Sequence, residues 1–189
     1  MIIQATIYGT AEKEEPFAFT YSGSFVDERD ANGKGDVTLN TSGDFIVTEG
    51  TRKVSVYILG GGGGGAGMSR YGGMGGGGGG NQTVEVELVP GTYSITIGKG
   101  GTGKFDTGST TVGTGGGKTV AFGFTSTGGY GGVNSNVGSY YGGDGGTPNG
   151  STGESNRSGY AAGGSPNGGS ASKESASNGG NGLVRITFS

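Results

Sequence analysis

The chain has 189 residues, a net charge of -3, 51 glycines and neither cysteine nor histidine. That composition excludes disulfide staples, thiolate chemistry and imidazole-based zinc sites, and a net negative chain is poorly suited to hold nucleic acid or an anionic membrane surface by charge. With four prolines and no fixed Gly-X-Y period along the chain, a collagen helix is excluded too.

The first ten residues, MIIQATIYGT, lack a basic segment before a long apolar run, so no secretory signal is expected there, and no stretch is long and apolar enough to span a membrane as a helix. Synthesis in a cytoplasm, with delivery by assembly or lysis, is the expectation. Ile2 to Tyr8 alternates apolar and polar residues and predicts a strand; Ala11–Glu15 is a charged link closed by Pro16. Phe17, Phe19 and Tyr21 fall on one face of a second strand, which Phe25–Glu28 extends beyond Gly23. Asp27 to Asp36 resembles a calcium loop in part, with Asp30, Asn32 and Gly33 at the required offsets from Glu28, but Leu39 stands where a bidentate glutamate is needed. Asn32-Gly33 instead predicts a type I′ hairpin turn. Asp36–Leu39 and Asp44–Thr48 are short strands around a Thr41-Ser-Gly43 turn.

Lys53–Leu59 is the clearest strand, with Val54, Val56 and Ile58 on one face. It runs straight into GGGGGGAGMSRYGGMGGGGGG, residues 60–80, after which Gln82–Val89 resumes alternation. Pro90-Gly91 then predicts a hairpin into Thr92–Ile97, whose Tyr93, Ile95 and Ile97 form the apolar face. Lys118–Phe124 predicts one further strand, and Leu183–Phe188 a closing one. Between Thr125 and Asn181 no periodicity is evident. No helix is expected. The expected class is all-β, a sandwich or jelly roll carrying glycine-rich insertions. Residues 1–59 form an N-terminal strand region, and residues 60–189 a glycine-rich region within one compact domain; they hold six and 45 glycines respectively.

Ordered glycine tracts need partners for their backbone groups. A threefold polyproline II-like helix makes no internal hydrogen bonds, so several such helices lying side by side can bond to one another where side chains are absent. The blocks Gly60–Gly65, Gly75–Gly80, Gly100-Gly101, Gly115–Gly117, Gly128–Gly132, Gly142–Gly146, Gly163-Gly164, Gly168-Gly169 and Gly179–Gly182 could supply such a bundle.

Chemistry is sparse. Gly98–Lys104 contains G-x-G-x-x-G and G-x-x-x-x-G-K, but Phe105 replaces the Ser/Thr of a phosphate loop and no helical pattern follows, so no nucleotide or other cofactor is expected. No nucleophile–base pair can be assembled, and an enzyme is the least favoured class. A binding role is carried by tyrosines isolated among Gly, Ser and Asn, a composition suited to recognition loops: Tyr71, Tyr130, Tyr140, Tyr141 and Tyr160, together with Arg70, Asn134, Asn136, Arg157 and nearby Met68. The alternative for these rings is cover for the glycine bundle or a subunit contact.

Thr20-Tyr-Ser-Gly-Ser24, Thr41-Ser-Gly43, Val54–Gly65, Gly75–Gly80, Val89-Pro-Gly-Thr-Tyr93 and Ile95–Gly101 together resemble the glycine-rich domains of bacteriophage tail and receptor-binding proteins. The resemblance covers about residues 20–132, and Leu183–Phe188 matches the closing strand. It implies a β-rich virion component at a tail tip or fibre, with other virion proteins, further copies of itself and a bacterial cell-surface receptor as partners. A decoration protein of capsid or tail, without a receptor, is the second reading. An ice-binding polyglycine protein is the third, although it would need a regular Thr or Ala face.

Overall fold

A computed structural model describes residues 16–70, 72–108, 110–135, 140–156 and 159–189. The expected Ile2–Tyr8 strand and Ala11–Glu15 link lie outside the described residues. The described chain is all-β, with no helix, and divides into a sandwich and a glycine bundle.

The sandwich places a five-stranded antiparallel sheet against a three-stranded one. The first has the order β2 (Phe25–Asp27), β3 (Gly35–Leu39), β17 (Leu183–Phe188), β5 (Arg52–Leu59), β8 (Asn81–Leu88). The second runs β1 (Ala18–Tyr21), β4 (Gly43–Glu49), β9 (Gly91–Ile95). Period-2 faces meet in the core: Val54, Val56 and Ile58 of β5, with Val184, Ile186 and Phe188 of β17, face Phe45 and Val47 of β4. All are buried, and Phe19 stacks on Phe45 with ring centroids 4.5 Å apart. Each such side chain stabilises by roughly 1.5–3 kcal/mol on burial.

Several pairings differ from the sequence expectation. β8 and β9 are not a hairpin: β8 pairs with β5 and β9 with β4, so Pro90 lies where the chain crosses between sheets. The Tyr93 hydroxyl holds that corner, donating to Val89 O at 3.0 Å and accepting from Val89 N at 3.1 Å. β3 and β4 likewise sit in opposite sheets. Lys118–Phe124 is not one strand but a hairpin, β12 (Thr119–Ala121) and β13 (Phe124–Ser126), because Phe122 and Gly123 take φ of 50° and 85°. The β2–β3 hairpin does form, but only Gly33 of its Asn-Gly pair has positive φ. The Asp30 carboxylate, which stands at a calcium-ligand offset in the sequence, accepts the amides of Asn32 and Lys34 at 2.8 and 2.9 Å and shapes the hairpin loop.

Among the described residues the bundle contains ten extended segments, residues 60–65, 75–80, 98–103, 113–117, 127–132, 142–147, 150–154, 161–165, 167–171 and 177–182, running alternately away from and toward the sandwich. Partners recur every third residue, as a threefold helix requires. Gly60 and Gly63 donate to segment 75–80, Gly61 and Gly64 to 113–117, and Gly62 and Gly65 to 177–180. Their carbonyls accept, in the same rotation, from 167–169, 129–132 and 101–104. Segment 60–65 thus has six neighbours, and segment 75–80 is surrounded in the same way. The neighbour relations close into three rows: 113–117, 127–132 and 142–147; then 98–103, 60–65, 75–80 and 150–154; then 177–182, 167–171 and 161–165.

Close approach explains the residue type. A Cβ on Gly62, Gly63, Gly77 or Gly78 would overlap the carbonyl oxygens of Asn167, Tyr130, Asp144 or Ser165. None of these four has positive φ, so their requirement is for space rather than for a left-handed backbone. The two surrounded segments are unbroken runs of glycine, and the outer ones are not.

Seam contacts join the two parts. The Thr119 and Ser126 hydroxyls, both buried, donate to Leu59 O and Ile58 O at 2.6 and 3.1 Å where β5 becomes a glycine segment. At the far end the rows become small sheets. The middle row continues as β10 (Lys104–Asp106), β6 (Ala66–Met68), β7 (Gly72–Met74) and β16 (Ser155–Asn156). The first row continues as β11 (Thr111–Val112), β14 (Val133–Asn134) and β15 (Tyr140–Tyr141).

Candidate functional site

The threefold geometry fixes which residues of an outer segment face solvent. In segment 127–132, Cβ positions at Gly128 and Gly131 point at 113–116, and those at Gly129 and Gly132 point at 74–78. Only Thr127, Tyr130 and the following Val133 are left to face outward. The sequence obeys this as X-Gly-Gly triplets, Thr127-Gly-Gly-Tyr130-Gly-Gly-Val133 beside Tyr141-Gly-Gly-Asp144-Gly-Gly-Thr147. Val112 and Gly115 stand on the third column of the same face.

These columns enclose a groove of about 670 Å³ toward the far end of the bundle. Tyr130 and Tyr141 line it and are 67% and 63% exposed. Val112 and Val133 form its apolar side, and Thr152 and Ser155 its other wall. Among the described residues, Asp144 is its one charged lining residue. Among the described residues, nothing hydrogen-bonds the side chains of Tyr130, Tyr141 or Asp144, nor the amides of Gly115 and Gly131. The Ser155 hydroxyl is engaged, accepting from Gly142 N at 2.7 Å.

The other expected site residues are dispersed. Arg70 is exposed at the β6–β7 turn, and Tyr160 is 61% exposed between segments 150–154 and 161–165, both at the end remote from the sandwich. Tyr140 is half-buried. Asn134 is a correction: it is fully buried, its Nδ2 donating to Gly72 O at 2.9 Å, and its Oδ1 has no partner among the described residues. Met68 is also fully buried, as is Met74 on the neighbouring strand β7. Tyr71, Asn136 and Arg157 lie outside the described residues. Sequence reasoning missed Val112, Val133, Asp144 and Thr152, although the X-Gly-Gly spacing marks Val133 and Asp144 as outward-facing.

Gly98–Lys104 does not present its amides as a phosphate loop would, because the bundle already engages them. Gly98, Gly100, Gly101 and Gly103 donate to Thr119 Oγ1, Asn181 Oδ1, Gly62 O and Asn178 Oδ1, all at 2.7–3.0 Å. A phosphate would have to displace the bundle. Among the described residues no cluster of carboxylates is grouped to hold a metal.

No curated protein matches the sequence. A family model described as a glycine-rich domain does match, over residues 38–189, which takes in most of the sandwich and the whole bundle. The chain therefore belongs to the glycine-rich domain family.

Proposed function

We propose that this protein is a bacteriophage virion component, tail-tip or fibre-associated, that adheres to the bacterial surface through the end of its glycine bundle. One observation carries the reading: alternation of ten segments brings five chain connections to the end remote from the sandwich, where Arg70 and Tyr160 are exposed. Interlocked hydrogen bonds make the bundle a stiff support, and variable contact residues on a rigid scaffold are what recognition favours. The sandwich end is the side for other virion proteins and further copies of the chain. Edge strand β2 exposes Phe25 and Val26 there, at 40% and 49%.

Adsorption of labelled protein to candidate host bacteria tests this. Deleting residues 134–178 outright would strip four whole segments from the bundle and test folding instead. The informative variants are Arg70→Ala and Tyr160→Ala, alone and combined. Specific adsorption that falls at least tenfold in the double variant is expected. Absence of adsorption by the native assembly would favour a decoration role on capsid or tail.

A further inference from the structure

The groove on the first row differs in chemistry from the end connections. Its floor is glycine backbone, and Gly131 lines it with an amide and a carbonyl that no described group takes up. Two well-exposed tyrosine rings stand beside that floor, with the Asp144 carboxylate and the Thr152 hydroxyl completing the lining.

We propose that this groove binds a neutral saccharide chain, with Tyr130 and Tyr141 covering the apolar faces of successive sugar rings and Asp144, Thr152 and the Gly131 backbone meeting their hydroxyls. The inference rests on the surface-adhesion reading above and names the class of molecule met there. A pyranose has an apolar C–H face and a rim of hydroxyls, so its complement is an aromatic ring flanked by carboxylate, hydroxyl and amide groups. Tyrosine suits that role, being rigid and amphipathic. Charge selects among glycans: among the described residues Asp144 is the single charged lining residue and none is a lysine or arginine, so uronate- and phosphate-bearing chains are repelled. A volume of about 670 Å³ lies within the range of small-molecule sites. The groove is open along the bundle, as an extended polymer needs.

The test is a printed array of short neutral gluco-, manno- and galacto-oligosaccharides beside uronate- and phosphate-bearing ones. It is probed with full-length protein, and affinities of bound members are measured by calorimetry. Binding confined to neutral members is expected. Tyr130→Ala and Tyr141→Ala should each weaken it by about tenfold or more, and Asp144→Asn by about tenfold. Tyr130→Phe, which keeps the ring, should stay within about threefold of the parent. The exposure of both tyrosines lets these variants fold, which thermal unfolding verifies. No bound neutral member, binding only to acidic members, or binding unaffected by Tyr130→Ala and Tyr141→Ala each overturns the proposal. Bacterial adsorption run in parallel separates the two readings. Cells bound without any glycan bound would sink the groove and spare adhesion; glycans bound without cells would do the reverse.

Discussion

The sandwich and the bundle solve the same problem with different parts of the residue. In the sandwich, backbone pairing is generic and side chains specify the structure: Val54, Val56 and Ile58 fix which face of β5 is inward. In the bundle, side chains are nearly absent from the interior, and the pattern of amides and carbonyls specifies it. Ordering a backbone costs roughly 1–2 kcal/mol per residue, most of all for glycine. Segment 60–65 offsets that by engaging every amide and every carbonyl it has. A glycine-rich chain is therefore orderable when each backbone group finds a partner and no Cβ intervenes.

Amide exchange gives the widest separation. Amides of 60–65 and 75–80 should exchange only with global unfolding, about 5 kcal/mol or more above the native state, whereas those of Gly115 and Gly131 should exchange almost freely. The signature is a period of three along segment 127–132, with Gly129, Tyr130 and Gly132 slow and Gly131 fast. Uniformly fast exchange through the glycine segments would remove the bundle altogether.

Substitution sharpens the contrast by testing space. Gly62→Ala drives a Cβ into the Asn167 carbonyl, where both walls are backbone and cannot rotate aside. A loss of about 4 kcal/mol or more is expected in urea unfolding. Gly115→Ala, whose Cβ would find its nearest neighbour at 3.4 Å, should stay within about 0.5 kcal/mol. In the sandwich the sign of the steric argument reverses: Ile58→Ala leaves a cavity and should lose about 3 kcal/mol. If Gly62→Ala proved milder than Ile58→Ala, the bundle would be looser than its hydrogen bonds imply.

Side chains that do enter the bundle act as backbone. Asn167 Oδ1 accepts the Gly79 amide at 2.9 Å, and its Nδ2 is shared among the carbonyls of Gly60, Gly180 and Asn181 at 3.0–3.1 Å. It fills a place in the row where its own main chain turns. Asn167→Ala strands the buried Gly79 amide and should lose about 2 kcal/mol, with Gly79 exchange accelerating before that of Gly77.

How much of this was legible follows from what each period encodes. A period of two names the inward face of a strand, and the faces of β5 and β9 were readable as such. It does not name the partner, so the Pro90-Gly91 turn passed for a hairpin when it is a corner between sheets. The glycine blocks announced the bundle. Segment 150–154 escaped because only Gly150 and Gly153 mark it, three residues apart. Its neighbour 142–147 carries the same spacing openly, and so do the repeated turns Thr147-Pro-Asn-Gly150 and Ser165-Pro-Asn-Gly168. The exposed tyrosines were legible as isolated rings in polar surroundings. Burial of Asn134 was not, because it depends on β14 of the first row packing against β6 and β7 of the middle row.

The smallest expected effect is ionic and belongs to the sandwich. Arg29 lies over the rings of Phe19 and Phe188, at 4.7 and 5.1 Å, and donates to both Asp27 oxygens at 2.9 and 2.7 Å. The Arg29 hydrogen bonds, opposed in part by burial, hold the Asp27 carboxyl below the ordinary aspartate range. A carboxyl with a lowered folded-state pKa contributes stability above its unfolded value, and that contribution fades as pH falls through the depressed folded value. Because both side chains keep contact with solvent, at 20% and 35% exposure, the pair's share is under about 1 kcal/mol and falls further in salt. Urea midpoints taken from about pH 5 downward should therefore drop slightly more for the parent than for Asp27→Asn. Equal acid losses in the two proteins would place the acid sensitivity elsewhere and leave Arg29 held by its aromatic contacts alone.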